Sequence, residues 1–184
     1  GTPNADGTIT WSAAEQTVTG WTPQYSYDLR GALSVDSNGY PYIFWKHGIF
    51  FQNSERIYVC KSSTNDGTWA GTPLLLKTVA WVNDNILSPF LLSLGAGIMY
   101  AGCHSYADDI FHGFYGSSND IGNWTLEIID FAFGVFLNNA VNIGSTIYMS
   151  YYISGTETRL YIRNGSWSNS VIPGIGGRRV SLIV

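Results

Sequence analysis

The sequence predicts an all-β chain built from repeated four-stranded antiparallel units, and three observations carry that expectation. Strand-like runs rich in Val, Ile, Tyr, Phe and Trp alternate with turns bearing Gly, Asn, Asp and Ser, and no stretch sustains a helical period. One hairpin pattern recurs three times: ALSVDSNGYPYIFW at 32–45, FLLSLGAGIMYAGC at 90–103 and NAVNIGSTIYMSYY at 139–152. A second pair of strands follows each hairpin, and its turn leads into a tryptophan. Trp11, Trp69, Trp124 and Trp167 succeed one another at intervals of 58, 55 and 43 residues. Four short strands in a unit of roughly 40–50 residues is the pattern of a β-propeller blade. A β-sandwich accounts for the density of strands but not for their ordered recurrence.

Each element has its place in that scheme. Residues 8–18 read as a lone fourth strand, led by Trp11, with no first three strands before it. Blades follow at about 30–78, 88–132 and 138–173, each a first hairpin (strands A and B) and a second (C and D). Residues 179–184 resemble 30–35 and read as the opening A strand of a further blade. Residues 1–184 are thus expected to form one propeller segment, a partial ring of three full blades plus terminal strands. The remaining blades are expected from the polypeptide beyond Val184 or from a partner chain.

Composition narrows the function classes. Charged residues make up 12% of the chain, about half the usual share, and hydrophobic residues 45%, too many for a chain that stays unfolded. The net charge is −4, and Arg178 and Arg179 are the only adjacent pair among nine scattered Lys and Arg. That leaves no basic stripe for a nucleic-acid partner. No run of eighteen apolar residues is present to span a membrane as a helix. Cys60 and Cys103 lie in strand-like runs and read either as two buried thiols or as one disulfide between blades. Neither they nor the histidines have metal-ligand spacing, so no metal and no cofactor are expected.

The turns between third and fourth strands carry a family resemblance. Ser63-Thr64-Asn65-Asp66-Gly67-Thr68-Trp69 and Ser118-Asn119-Asp120-Ile121-Gly122-Asn123-Trp124 resemble the Asp-box, Ser-x-Asp-x-Gly-x-Thr-Trp, of BNR-type, sialidase-like propellers, with one residue deleted before the Trp. Asn4-Ala5-Asp6-Gly7-Thr8-Ile9-Thr10-Trp11 is a looser relative, and the third blade keeps Asn164-Gly165-Ser166-Trp167. The resemblance implies a structural role on the blade rim. Asn65 and Asp120 would accept hydrogen bonds from their own turns, Gly67 and Gly122 would supply the tight bend, and Trp69 and Trp124 would be anchored between sheets. It also implies a secreted or cell-surface protein. Asn123-Trp124-Thr125 and Asn164-Gly165-Ser166 are N-glycosylation sequons, which suit that setting, with Asn123 and Asn164 as acceptors.

In a propeller the first strands line the central channel, so the residues that open them are the ligand candidates: Arg30 with neighbouring Asp28, Pro89, Asn138 and Arg179. Sialidases hold a carboxylate with an arginine triad. Arg30 in Leu29-Arg30-Gly31 stands at a comparable place, although the Ile-Pro that follows that arginine in sialidases is absent. Each arginine equally suits a simple ion pair, Arg30 with Asp28 for one. The chemistry of a sialidase also needs a Tyr nucleophile beside a Glu. Glu15 and Glu127 follow a rim tryptophan, Glu55 and Glu157 fall between second and third strands, and no such pair is legible. Asp108 and Asp109 read as solvated loop carboxylates or a weak calcium site. His47 and His104 recur at similar points near second-strand ends and read as surface or loop-anchoring residues. Trp45, Tyr106 and Tyr151 read as sugar-stacking rings or, as is commoner for such residues, as core between blades. The resulting expectation is an extracellular, non-enzymatic binding or structural module, with carbohydrate or another protein as partner. A sialidase-like enzyme acting on acidic sugars and a subunit of a surface assembly are the alternatives.

Overall fold

The computed structural model describes residues 2–10, 26–27, 31–49, 54–64, 68–69, 72–80, 86–105, 108–117, 121–131, 135–153, 157–174 and 182. Fifteen strands and no helix fall within them. A hairpin of β1 (Thr2–Pro3) and β2 (Ile9–Thr10) comes first. The first large sheet holds β3 (Ser26–Tyr27), β4 (Gly31–Val35), β5 (Pro41–Ile49), β6 (Ser54–Lys61) and β7 (Leu74–Ala80). The second holds β8 (Ile86–Gly95), β9 (Ile98–Ser105), β10 (Ile110–Ser117) and β11 (Trp124–Phe131). The third holds β12 (Val135–Ile143), β13 (Thr146–Ile153), β14 (Glu157–Asn164) and β15 (Ser166–Val171).

Every pairing is antiparallel, and each large sheet is ordered as the chain runs, first strand to fourth. In the first sheet β3 and β4 share one partner, β5, and together act as an interrupted first strand. The first strands are also the ones that meet between sheets, β8 lying against β4 on one side and β12 on the other. Sheets with first strands gathered together and fourth strands at the far edge are blades around an axis. The fold is therefore an all-β propeller arc.

Two apolar clusters join the blades. Tyr42, Phe44, Ile57 and Val59 of the first sheet meet Met99, Ala101, Cys103 and Phe114 of the second. Phe90, Tyr100 and Phe111 on the opposite face of the second sheet meet Ile147, Met149, Tyr151 and Tyr161 of the third. The second sheet is buried on both faces, which is why β9 reads as a near-continuous buried run from Met99 to Ser105. Cys60 and Cys103 are both buried thiols and are not joined in a disulfide.

One expectation is corrected. Ile9–Thr10 does not stand as a lone strand, because Thr2–Pro3 pairs with it. Asp6 in the turn accepts from the Thr8 amide at 2.9 Å and the Thr8 hydroxyl at 2.7 Å, closing a hairpin too short to show as a period-two run. These bonds hold the exposed Asp6 carboxyl below its usual range. Residues 11–18 lie outside the described residues.

Candidate functional site: the axial mouth and the joints beneath it

Two first strands, β8 and β12, share an irregularity at one end. In β8 the register passes from Leu87 opposite His104 to Phe90 opposite Gly102, so Ser88 and Pro89 face the single residue Cys103. In β12 it passes from Leu137 opposite Tyr151 to Asn139 opposite Ser150, so Asn138 is the extra residue. In the first sheet Tyr27 pairs Gly48 and Gly31 pairs Trp45, and residues 28–30 between them lie outside the described residues. β8 and β12 therefore each carry one residue more than their partner, a β-bulge, near where they begin. Proline suits that position because it has no N–H to give the ladder.

Of the ligand candidates, Asn138 thus sits on a bulge, and Asp28 and Arg30 belong to the interrupted stretch but lie outside the described residues, as does Arg179. Leu182 is described. Its carbonyl accepts from Asn139 Nδ2 at 2.7 Å, so that residue lies beside β12 next to the bulge.

Below the mouth, polar side chains cross both joints. Between the first and second sheets, Lys77 Nζ stands 3.2 Å from Asp108 Oδ2 and 3.1 Å from His112 Nε2. His112 Nε2 is itself 3.0 Å from Asp108 Oδ2. Burial pushes the His112 imidazole down to about 4, against the pull of Asp108. Burial opposes ionisation of Asp108, but His112, Ser105 and Lys77 outweigh it and hold the carboxyl below its usual range. Asp108 is therefore an ion-pair partner and not a free loop carboxylate. Between the second and third sheets, the hydroxyls of Tyr151 and Tyr161 converge on Asp130, Tyr151 at 2.8 Å. Burial raises both phenols, Tyr161 to about 12. Tyr151 is fully buried, so it is not an exposed sugar-stacking ring; β13 continues to Ile153 and turns it into the joint. Trp45 is half-buried and stacked on Tyr58 at 5.5 Å, and Tyr106 lies outside the described residues.

The sequence reading missed a Tyr–Glu pair. Tyr100 Oη donates to Glu127 Oε1, Arg163 Nε donates to the same oxygen at 2.8 Å, and Arg163 Nη2 donates to Oε2 at 3.2 Å. Trp167 Nε1 donates to Glu127 Oε1 at 2.8 Å. Tyr100 lies on β9 and Glu127 on β11, so the hydroxyl must cross β10. It does so over Gly113, where a Cβ would fall 2.0 Å from Tyr100 Oη. Burial opposes ionisation of Glu127, and bonds from Arg163, Tyr100 and Trp167 overcome it. Tyr100 has no exposed surface and its phenol is driven upward by burial, and the group clamps two blades. Glu127 is on a fourth strand, as expected; Glu55 and Glu157 stand within the opening of third strands and not in the connections.

At the opposite end, the third-to-fourth-strand turns are organised by short polar side chains. Ser63 Oγ donates to the Thr68 carbonyl at 2.7 Å, and the Thr68 amide donates to Thr64 Oγ1 at 3.1 Å. Asn65, Gly67 and Asp120 lie outside the described residues. Trp69, Trp124 and Trp167 are half-buried. Trp124 lies flat on Gly116, where a Cβ would meet its ring at 2.8 Å, and reaches the first joint. Trp167 reaches the second. Asn123 and Asn164 are exposed. Among the described residues no group of His, Cys, Asp and Glu is arranged to hold a metal ion, and no helix is long and apolar enough to cross a membrane.

The fold thus defines a class, the β-propeller of four-stranded antiparallel blades. No family model matches the chain, and no curated protein matches it in sequence. Among solved structures it is similar to a mutant of the α-L-arabinofuranosidase from Fusarium graminearum in complex with an iminosugar inhibitor. That likeness has a TM-score of 0.52 at 14% identity and covers 85% of this chain and 50% of the other. A second structure of the same enzyme with an iminosugar inhibitor gives a TM-score of 0.51 at 14% identity, covering 90% and 53%. The chain spans about half the length of these structures, and identity this low speaks for the fold alone.

Proposed function

We propose that the chain is the blade-bearing part of a secreted or cell-surface propeller of the Asp-box type that binds carbohydrate at the mouth of its axis, without cleaving it. The observation that carries the proposal is the bulge repeated at the same end of two neighbouring first strands, β8 and β12. A bulge frees backbone hydrogen-bonding groups and re-aims the side chain beside it, and two of them side by side at one end of the axis make a polar rim fit for sugar hydroxyls. Arg30, Asp28, Asn138 and Arg179 are the residues assigned to that rim. The exposed face of the first sheet, with Leu33 at 66% and Val35 at 47%, supports further blades, supplied by the same polypeptide or by a partner chain.

The likeness to arabinofuranosidase structures favours a second reading, a glycoside-active enzyme whose remaining catalytic groups lie in those further blades. Calorimetric titration with arabino-oligosaccharides and sialylated oligosaccharides tests the first reading. Binding weakened about tenfold by Asn138→Ala or Arg30→Ala, the loss of roughly one good polar contact, is expected. Equal binding by both variants refutes the assigned rim. Turnover of a fluorogenic α-L-arabinofuranoside or sialoside replaces the first reading by the second.

A further inference from the structure

We propose that the His112 pocket is an acid-sensitive latch holding the first blade to the second. His112 lies on β10 with no exposed surface, its ring 6.3 Å from Phe114 and turned into the first joint. The charged and titratable described groups on this joint come from four elements: Lys77 on β7, Asp108 in the β9–β10 connection, His104 on β9, and the buried Lys46 on β5, which shares a face with Ile57 and Lys77. At neutral pH the imidazole is uncharged. It lies beside the Asp108 carboxylate at 3.0 Å, while the Lys77 ammonium stands 3.1 Å from Nε2 and 3.4 Å from Nδ1. Against the ring itself stand one cation and one anion, Lys77 and Asp108.

Adding a proton to the ring changes that count. Two cations about 3 Å apart share one carboxylate in a buried site, and the ring nitrogen that faced Lys77 becomes a donor facing a donor. Lys77 is the contact from the first sheet, so the repulsion acts across the joint. The apolar cluster beneath it, including Phe44 against Phe114 at 6.0 Å, then holds the blades with less help.

The sign follows from linkage. The folded-state value of about 4 lies below the ordinary 6.5, so between those two the unfolded chain binds the proton that the folded chain refuses. Stability contributed by this group is full above 6.5 and is lost as pH falls toward about 4. Each pH unit in that window raises the unfolding constant by close to tenfold, about two orders of magnitude across it.

Urea unfolding of the whole chain at pH 7.0, 6.0, 5.0 and 4.5, with wild type, His112→Gln and Lys77→Met, decides the matter, beside NMR titration of the His112 ring. The expected result is a steep fall in stability for wild type and a slope lower by about one proton in His112→Gln. Lys77→Met should be intermediate, and the His112 resonance should stay neutral at pH 5.5. A lower baseline stability in either variant leaves the slope readable. Equal slopes for wild type and His112→Gln, or a His112 ring that titrates above pH 6, would overturn the proposal.

Discussion

Gly113 shows how much one atom decides in this fold. Its missing Cβ leaves room for the hydroxyl of Tyr100 on β9 to reach Glu127 on β11. In Gly113→Ala the added methyl meets that hydroxyl at 2.0 Å, so the tyrosine must withdraw and Glu127 keeps only Arg163 and Trp167. We expect the substitution to cost about 2–3 kcal/mol by urea unfolding, from overpacking plus the lost buried hydrogen bond. A cost below about 0.5 kcal/mol would mean that the clamp does not hold the blades. The pair was not legible in the sequence because its members are 27 residues apart and joined through a glycine in a third strand. The same holds for Lys77 and His112, 35 apart and on different sheets. By contrast Asp6 with Thr8 is local, and an Asp-Gly-Thr turn makes it readable.

At the scale of the strand, period-two alternation told where the strands are but not which face each side chain takes. A bulge inserts one residue and flips every side chain beyond it, so a pattern read through Asn138 or Ser88-Pro89 changes face partway. Tyr151, which the sequence offers as a sugar-stacking ring or as core between blades, is core: it lies inside a strand that runs on to Ile153 and is buried in the joint. Asn142 offers a test of how first strands are tied. Its Nδ2 donates to the Ser93 carbonyl on β8 at 3.0 Å and to the Gly144 carbonyl at 2.9 Å. Asn142→Ala should cost about 1 kcal/mol by thermal or urea unfolding. A neutral result would leave the first strands joined by packing alone.

For the whole molecule, the hairpin repeated at 32–45, 90–103 and 139–152 and the spaced tryptophans were enough to give an all-β propeller of four-stranded blades. They could do so because blade architecture is local, each strand pairing with the next along the chain. What joins the blades is not local, and that is where the unforeseen chemistry lies: a Lys–His–Asp pocket in one joint, and Tyr–Asp and Tyr–Glu–Arg–Trp groups in the other. These groups are buried or half-buried and bonded to one another across the joints, which makes them parts of the frame. The bulged ends of β8 and β12 are where we propose that a ligand meets the backbone. Hydrogen exchange with and without a saturating arabino- or sialo-oligosaccharide tests this most directly. The account predicts slowed amide exchange at 26–31, 86–90 and 135–139, with the turns at 62–69, 117–124 and 164–166 unchanged; protection confined to those turns would contradict it.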